Sequence, residues 1–229
     1  MINIEKKPIL ISSSVSCMDL CNLKNSINEV EKAGVSFLHF DIVDGQFNNC
    51  FILGESTLEA IRPITNIPIE VHLAVYNPEK YIERFAKLGA DYIAVHYEAM
   101  SNPLKTFEYI RSCGSKPILA FKADTPPNND FLTLAKEVDW ILKLTVNPGF
   151  SGQKLQEISL EHIKQMSNII KENNIDTYIQ ADGNVNCNTI PKLFSAGANI
   201  FTGGSSGLFI KDFTIKENFN NLLNSIYNI

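Results

Sequence analysis

The stretch IEVHLAVYNPEKYIERFAKLGADYIAVHYE, residues 69–98, decides the fold. It opens on an apolar, β-rich run, IEVHLAV (69–75). It passes through PEKYIERFAKLGA (78–90), where apolar residues recur at helical spacing, and closes on a second β-rich run, YIAVHYE (92–98). Pro78 suits a first helical turn and Gly89 a helix end. Strand, helix and strand in so short a span predict a parallel pair joined by a crossover.

The same alternation continues in both directions. Further strand candidates are ILISSS (9–14), FLHFDIV (37–43), PILAFK (117–122), WILKLTV (140–146), TYIQAD (177–182) and IFTGG (200–204), which makes eight in all. NSINEVEKAG (25–34), ending on Gly34, and SLEHIKQMSNIIKEN (159–173) are the clearest other helices. Eight such units in 229 residues, without a linker or a shift in composition, predict one α/β domain over 1–229, a closed (β/α)8 TIM barrel. The rival is an open doubly wound sheet. Its usual Gly-x-Gly-x-x-Gly after the first strand is replaced here by SSSVSCMDL.

Composition narrows the function. A hydrophobic share of 45% supports a full core. A net charge of −5, with no Lys/Arg cluster, argues against a nucleic-acid partner. No apolar run approaches a membrane span, and the one near the start is too short for a secretory signal. Five cysteines, an odd number without Cys-x-x-Cys, read as reduced thiols of a cytoplasmic protein. Cys17 and Cys21, at i and i+4, could share a helical face, and the Asn-rich KENFNNLLNSIYNI (216–229) reads as a solvated helix. A homo-oligomer is expected.

In a barrel, the loops at the strand C-terminal ends build the active site. Ser14 ends the first candidate strand. His39 and Asp41 lie toward the end of the second, on one face with Phe37 and Val43, since alternate side chains share a face. His72 is central in the third, His96 late in the fourth, and Asp182 ends the seventh. His162, in a helical segment among polar residues, is expected at the surface. A buried imidazole or carboxylate is costly unless it is paired or coordinates a metal. Singly, His39 or His72 reads as a satisfied core group. Together, His39, Asp41, His72 and Asp182 form an N/O ligand set for one divalent ion, Zn²⁺, Fe²⁺, Mn²⁺ or Co²⁺, among which spacing does not choose.

From the seventh strand to the second is three steps of eight round the ring, so Asp41 and Asp182 should approach a central ligand from nearly opposite sides. Two such carboxylates suit an epimerisation, in which one removes a proton and the other returns one to the opposite face. A divalent metal would stabilise the enediolate charge. Three turns follow the last three strands: NPGFSGQ (147–153) with Gly149 and Gly152, ADGNVN (181–186) with Gly183, and GGSSG (203–207) with Gly204 and Ser205. Their backbone amides, with a helical tail behind GGSSG, read as a cradle for a phosphorylated substrate.

These residues resemble the ribulose-phosphate 3-epimerases over nearly the whole chain. HFDIVDGQF resembles the family's H-x-D-x-M-D-G-x-F, and VHLAVYNPEKYIERFAKLGADYIAVHYEA its H-L-M-V…P…G-A-D…H-x-E segment. TVNPGFSGQ resembles T/S-V-x-P-G-F-x-G-Q, and ADGNVN resembles V-D-G-G-V. The resemblance implies metal ligation by His39, Asp41, His72 and Asp182, an acid/base pair of Asp41 and Asp182, and substrate contact by Ser14 and His72. It also implies phosphate binding around Gly149, Gly152, Gly183, Gly204 and Ser205. SSSVSCMDL and GGSSGLF are similar to the allulose-6-phosphate 3-epimerase branch, which inverts C3 of a six-carbon ketose phosphate. Val43, Ala74 and Leu144 stand where the family usually has methionines, Gln46 where His is common, and Asn184 where Gly is common.

Two other readings compete. A phosphate-binding barrel could be a metal-dependent decarboxylase or a Schiff-base aldolase, with Lys143 or Lys122 as the lysine. Lys143 neighbours Leu144 and should face the helices, where its stem can snorkel. A non-catalytic binder that lost the chemistry is the third reading, supported only by the missing methionines.

Overall fold

The computed structural model describes residues 8–150 and 152–227, so Ser151 of the NPGFSGQ turn and both ends of the expected domain lie outside the described residues. The strands are β1 Leu10–Ser14, β2 Phe37–Asp44, β3 Phe51–Ile52, β4 Ile69–Ala74, β5 Tyr92–His96, β6 Lys116–Phe121, β7 Trp140–Leu144, β8 Tyr178–Asp182 and β9 Ile200–Gly203. The helices are α1 Leu23–Ala33, α2 Glu55–Ile61, α3 Glu79–Lys87, α4 Pro103–Ser112, α5 Phe131–Ala135, α6 Glu157–Glu172, α7 Ile190–Ala196 and α8 Ile215–Tyr227.

Eight parallel strands run β1-β2-β4-β5-β6-β7-β8-β9, and β9 pairs back onto β1. The ring is closed and the helices surround it, which is the (β/α)8 barrel the alternation predicts. The two-residue β3 is an addition that sequence reading did not anticipate. It pairs antiparallel to the end of β2, Val43 with Ile52 and Asp44 with Phe51.

Strand parity assigns the faces. His39, Asp41 and Val43 of β2 point inward, as do Glu70, His72 and Ala74 of β4 and Gln180 and Asp182 of β8. The outward residues Leu38, Phe40, Val71, Leu73 and Ile179 join Ile27, Val30, Ile82, Phe85, Ile163 and Met166 of the helices in one apolar layer. The lower interior is filled by Phe37, Trp140, Leu142, Ile118 and Ile200. α1 ends on Gly34, whose φ of 98° is left-handed and whose N–H reaches the Val30 and Glu31 carbonyls.

Several expectations are corrected. His162 is buried, 5% exposed, and its Nδ1 faces the Ala123 carbonyl at 3.2 Å. Ser159, Ile163, Met166 and Ile170 share its helical face, so the i, i+3, i+4 rhythm outweighs its polar neighbours. Cys17 and Cys21 fall in separate 3-10 turns, Val15–Cys17 and Leu20–Asn22, so they share no helix. α8 is not solvated all round, for it buries Asn218, whose amide donates to the Leu208 and Ile210 carbonyls. The helical tail begins only at Ile215, and a turn rather than a helix N-terminus follows GGSSG, with the Gly207 N–H on the Gly204 carbonyl.

Lys143 does point away from the cavity, but it does not snorkel. It is fully buried and Nζ donates to the Thr125 carbonyl at 2.6 Å and to the Lys122 carbonyl. Burial pulls its pKa down to about 8. An unfolded chain therefore binds more protons at this position between about pH 8 and the ordinary lysine value, and stability rises with pH across that window. Urea unfolding of the parent and of Lys143→Met at several pH values should show this slope in the parent only, at up to about 1.4 kcal/mol per pH unit. Identical slopes would remove this account.

Candidate active site

Register brings the polar residues to one level. Asp41 of β2 pairs with His72 of β4, and His39 with Glu70 one layer below. Ser14 aligns with His39, Leu144 with Asp182, and Asp182 with Thr202. The four residues His39, Asp41, His72 and Asp182 converge, each offering one ligand-capable atom within 4.8 Å of the others.

His39 Nε2 lies 2.9 Å from Asp41 Oδ1 and 3.5 Å from Asp182 Oδ2. His72 Nδ1 lies 3.1 Å from the same Asp41 oxygen. The second Asp41 oxygen accepts from Ser14 Oγ at 3.3 Å and Ser16 Oγ at 3.5 Å. Ser14 thus touches the carboxylate group, and Ser16 is a neighbour that sequence reading missed.

The electrostatics call for a positive charge. Burial opposes charge on His39, yet Asp41, Asp182 and Glu70 outweigh it and push its pKa well above the usual histidine value. Burial alone would raise the Asp41 pKa. The charge of His39 first, and then the closeness of both imidazoles, hold it far below the usual carboxylate range. Two imidazoles and two carboxylates whose ligand-capable atoms lie within 4.8 Å of one another fit a divalent cation in donor chemistry and spacing.

A polar layer supports the site from beneath. Glu70, fully buried, accepts from His39 Nδ1 at 2.7 Å, Trp140 Nε1 at 3.2 Å and Gln180 Nε2 at 2.9 Å. Gln180 also donates to Thr202 Oγ1 at 3.0 Å. None of these was singled out as functional in the sequence, although Glu70 and Gln180 each precede a site residue by two positions and so share its face. On the other side, His72 Nε2 lies 2.9 Å from His96 Nε2, and His96 Nδ1 lies 3.1 Å from Glu98 Oε2. Burial lowers the His96 pKa to about 4, while hydrogen bonds from His96 and the Lys122 amide overcome the effect of burial and bring Glu98 to about 2.

Above the four residues opens a cavity lined by Ser14, Asp41, His72 and Asp182 and by the three glycine-bearing turns, with Gly149, Gly152, Gly183, Gly204 and Ser205 all on its wall. Cys17 and Ser16 also line it. Gly183 has φ 116°, and a Cβ there would fall 2.4 Å from a Val146 methyl, so only glycine lets the chain turn directly after Asp182. Asn184, where the family motif has glycine, sits at φ 49°, a conformation that asparagine tolerates best among residues with a side chain. Its amide also donates to the Gln153 carbonyl at 2.8 Å, tying two of the turns together. Of the three residues at methionine positions, Leu144 lines the cavity, while Val43 and Ala74 pack with Phe47. Lys143, on the outer face, is not placed for Schiff-base chemistry in the cavity.

Comparison with known proteins bears on the fold and on the family. Solved structures of mutant tryptophan synthase α-subunit from Pyrococcus furiosus superpose with TM-scores of 0.63 and 0.64 at 15% and 13% identity, each covering 96% of this chain and 98% of theirs, and they share the fold alone. The ribulose-phosphate 3-epimerase of Bacillus subtilis is 37% identical over 86% of this chain and 91% of its own length. That of Methanocaldococcus jannaschii is 36% identical over 89% and 86%. The chloroplastic ribulose-5-phosphate-3-epimerase of Arabidopsis thaliana is 32% identical over 91% and 74%. The profile of the Ribulose-phosphate 3 epimerase family matches residues 10–209, a span that takes in all four converging residues and the three turns. A family match over residues 10–209 and relatives 36–37% identical over most of this chain show that the chain belongs to the ribulose-phosphate 3-epimerase family of carbohydrate isomerases.

Proposed function

We propose that this protein interconverts D-ribulose 5-phosphate and D-xylulose 5-phosphate by moving a proton at C3. The observation that carries the reading is the convergence of Asp41 and Asp182 on one cavity from strands separated in the ring by β9 and β1. One carboxylate takes the C3 proton from one face, and the other returns a proton to the opposite face of the planar enediolate. Asp41 is held ionised beside its two histidines, the form in which a carboxylate can act as a base. Ser14 and Ser16 orient its outer oxygen. The turns carrying Gly149, Gly152, Gly183, Gly204 and Ser205 offer backbone amides and a hydroxyl to the phosphate. His39, Asp41, His72 and Asp182 would hold the metal, and a divalent ion bound there supplies positive charge where negative charge develops in the enediolate.

A six-carbon substrate, D-allulose 6-phosphate, is the second reading. It rests on Cys17 and Ser205, from the CMDL and GGSSGLF stretches, lining the same cavity. Coupled assays of metal-replete protein on both ketose phosphates separate the two. The expected result is faster turnover of the pentulose phosphate, loss of turnover after dialysis against a chelator, and recovery on adding back a divalent ion. Activity that survives a verified loss of metal would remove the metal from the reading, and no turnover of either sugar would remove the epimerase.

A further inference from the structure

We propose that His96 and Glu98 are positioning residues that decide which ring nitrogen of His72 faces the metal position: Nδ1, with the proton held on Nε2. This inference rests on the metal reading above.

The donors and acceptors allow one consistent arrangement. His72 turns Nδ1 toward Asp41, at 3.1 Å, and Nε2 toward His96 Nε2, at 2.9 Å. A neutral imidazole that gives its Nδ1 lone pair to a metal must carry its hydrogen on Nε2. That N–H points at His96 Nε2, which must therefore accept. His96 then keeps its own hydrogen on Nδ1, where Glu98 Oε2 accepts it at 3.1 Å. The other Glu98 oxygen is already taken by the Lys122 backbone N–H, at 2.8 Å. Both carboxylate oxygens are committed, and the chain of donors runs one way, from His72 through His96 to Glu98.

The reverse order closes the site. A hydrogen on His96 Nε2 would force His72 to accept at Nε2 and to carry its hydrogen on Nδ1, aimed at Asp41 where the metal lone pair is needed. His39 is set the opposite way, because Glu70 accepts from its Nδ1 and leaves Nε2 toward Asp41 and Asp182. The two histidines therefore present different nitrogens, His39 set by the fully buried Glu70 and His72 set through His96 by the half-buried Glu98. His96 is fully buried and lines none of the cavity, so it acts through His72 and not on substrate.

The first test needs no mutation. In zinc-loaded protein with ¹⁵N-labelled histidine, two-bond proton–nitrogen correlations should show His39 and His96 protonated on Nδ1 and His72 protonated on Nε2. Zinc affinity, measured by competition with a chelating indicator, should then fall about 10- to 100-fold in His96→Phe. It should stay near the parent in His96→Gln, whose amide oxygen can still accept from His72. Glu98→Leu should also weaken zinc, since it leaves the His96 Nδ1–H without its acceptor. A His72 protonated on Nδ1, a His96→Phe that binds zinc like the parent, or a His96→Gln as weak as His96→Phe each overturns the relay while leaving the metal site standing. A parent protein that binds no zinc overturns the metal reading itself, and the relay with it.

Discussion

Asp182→Asn is expected to cut epimerisation by about 10²- to 10⁴-fold, the usual range for a lost general acid or base. Asparagine has the shape of aspartate but takes up no proton. Asp41 is untouched by the change, and its outer oxygen keeps Ser14 and Ser16. Proton exchange on the Asp41 face of C3 should therefore continue. In deuterated water, one C3 epimer should gain deuterium without inverting, and the other should stay inert. Bound metal must be measured alongside, because Asp182 also belongs to the converging set of possible ligands. Loss of metal would silence exchange in both epimers, whereas loss of the acid alone silences one. Full turnover by the variant would end the two-carboxylate mechanism.

Glu70→Leu is expected to be the most destabilising single change near the site, at about 3–5 kcal/mol, the cost of removing one partner from a buried charged pair. The carboxylate is fully buried and takes hydrogen bonds from His39, Trp140 and Gln180. Leucine fills the space but strands three donors away from water. Glu70→Gln should cost less, since one acceptor oxygen remains. Urea unfolding of metal-free protein measures both, with an unchanged denaturant slope indicating a true stability loss. The single tryptophan, Trp140, donates into this carboxylate, so its fluorescence reports the same event directly. A loss below about 1 kcal/mol, no more than one ordinary hydrogen bond, would mean the donors find other partners.

Much of this was legible in the residues because barrel strands expose their logic through parity. His39, Asp41, His72 and Asp182 stand out as polar residues on faces that should be apolar; Asp41, His72 and Asp182 line the cavity, and His39 lies buried behind them. The alternation of 69–98 fixes strand direction without tertiary information. Glu70 and Gln180 carry no such mark, because their worth comes from three-way hydrogen bonding between β2, β4, β7 and β8, which one strand's pattern does not reveal. β3 is two residues long and pairs with the end of β2, below the length at which alternation can be read. The short α2, α5 and α7 are set by packing against the sheet more than by their own periodicity. The burial of His162 follows from its angular position on α6 with Ser159, Ile163 and Met166, which the polarity of its sequence neighbours does not reveal.

The order of the strands also determines when the site comes into being as the chain folds. His39, Asp41 and His72 sit on neighbouring β2 and β4, while Asp182 rides on β8 and meets them only once β9 has docked against β1. A half-assembled barrel thus already owns three of the four donors, and closure of the ring delivers the last. Long-range closure is the slow part of such a topology. A cation added before refolding would bind the early strand pair and weight the ensemble toward it, whereas one added afterwards meets a finished site. The history of metal exposure, and not only its final concentration, should therefore show in how fast this chain refolds.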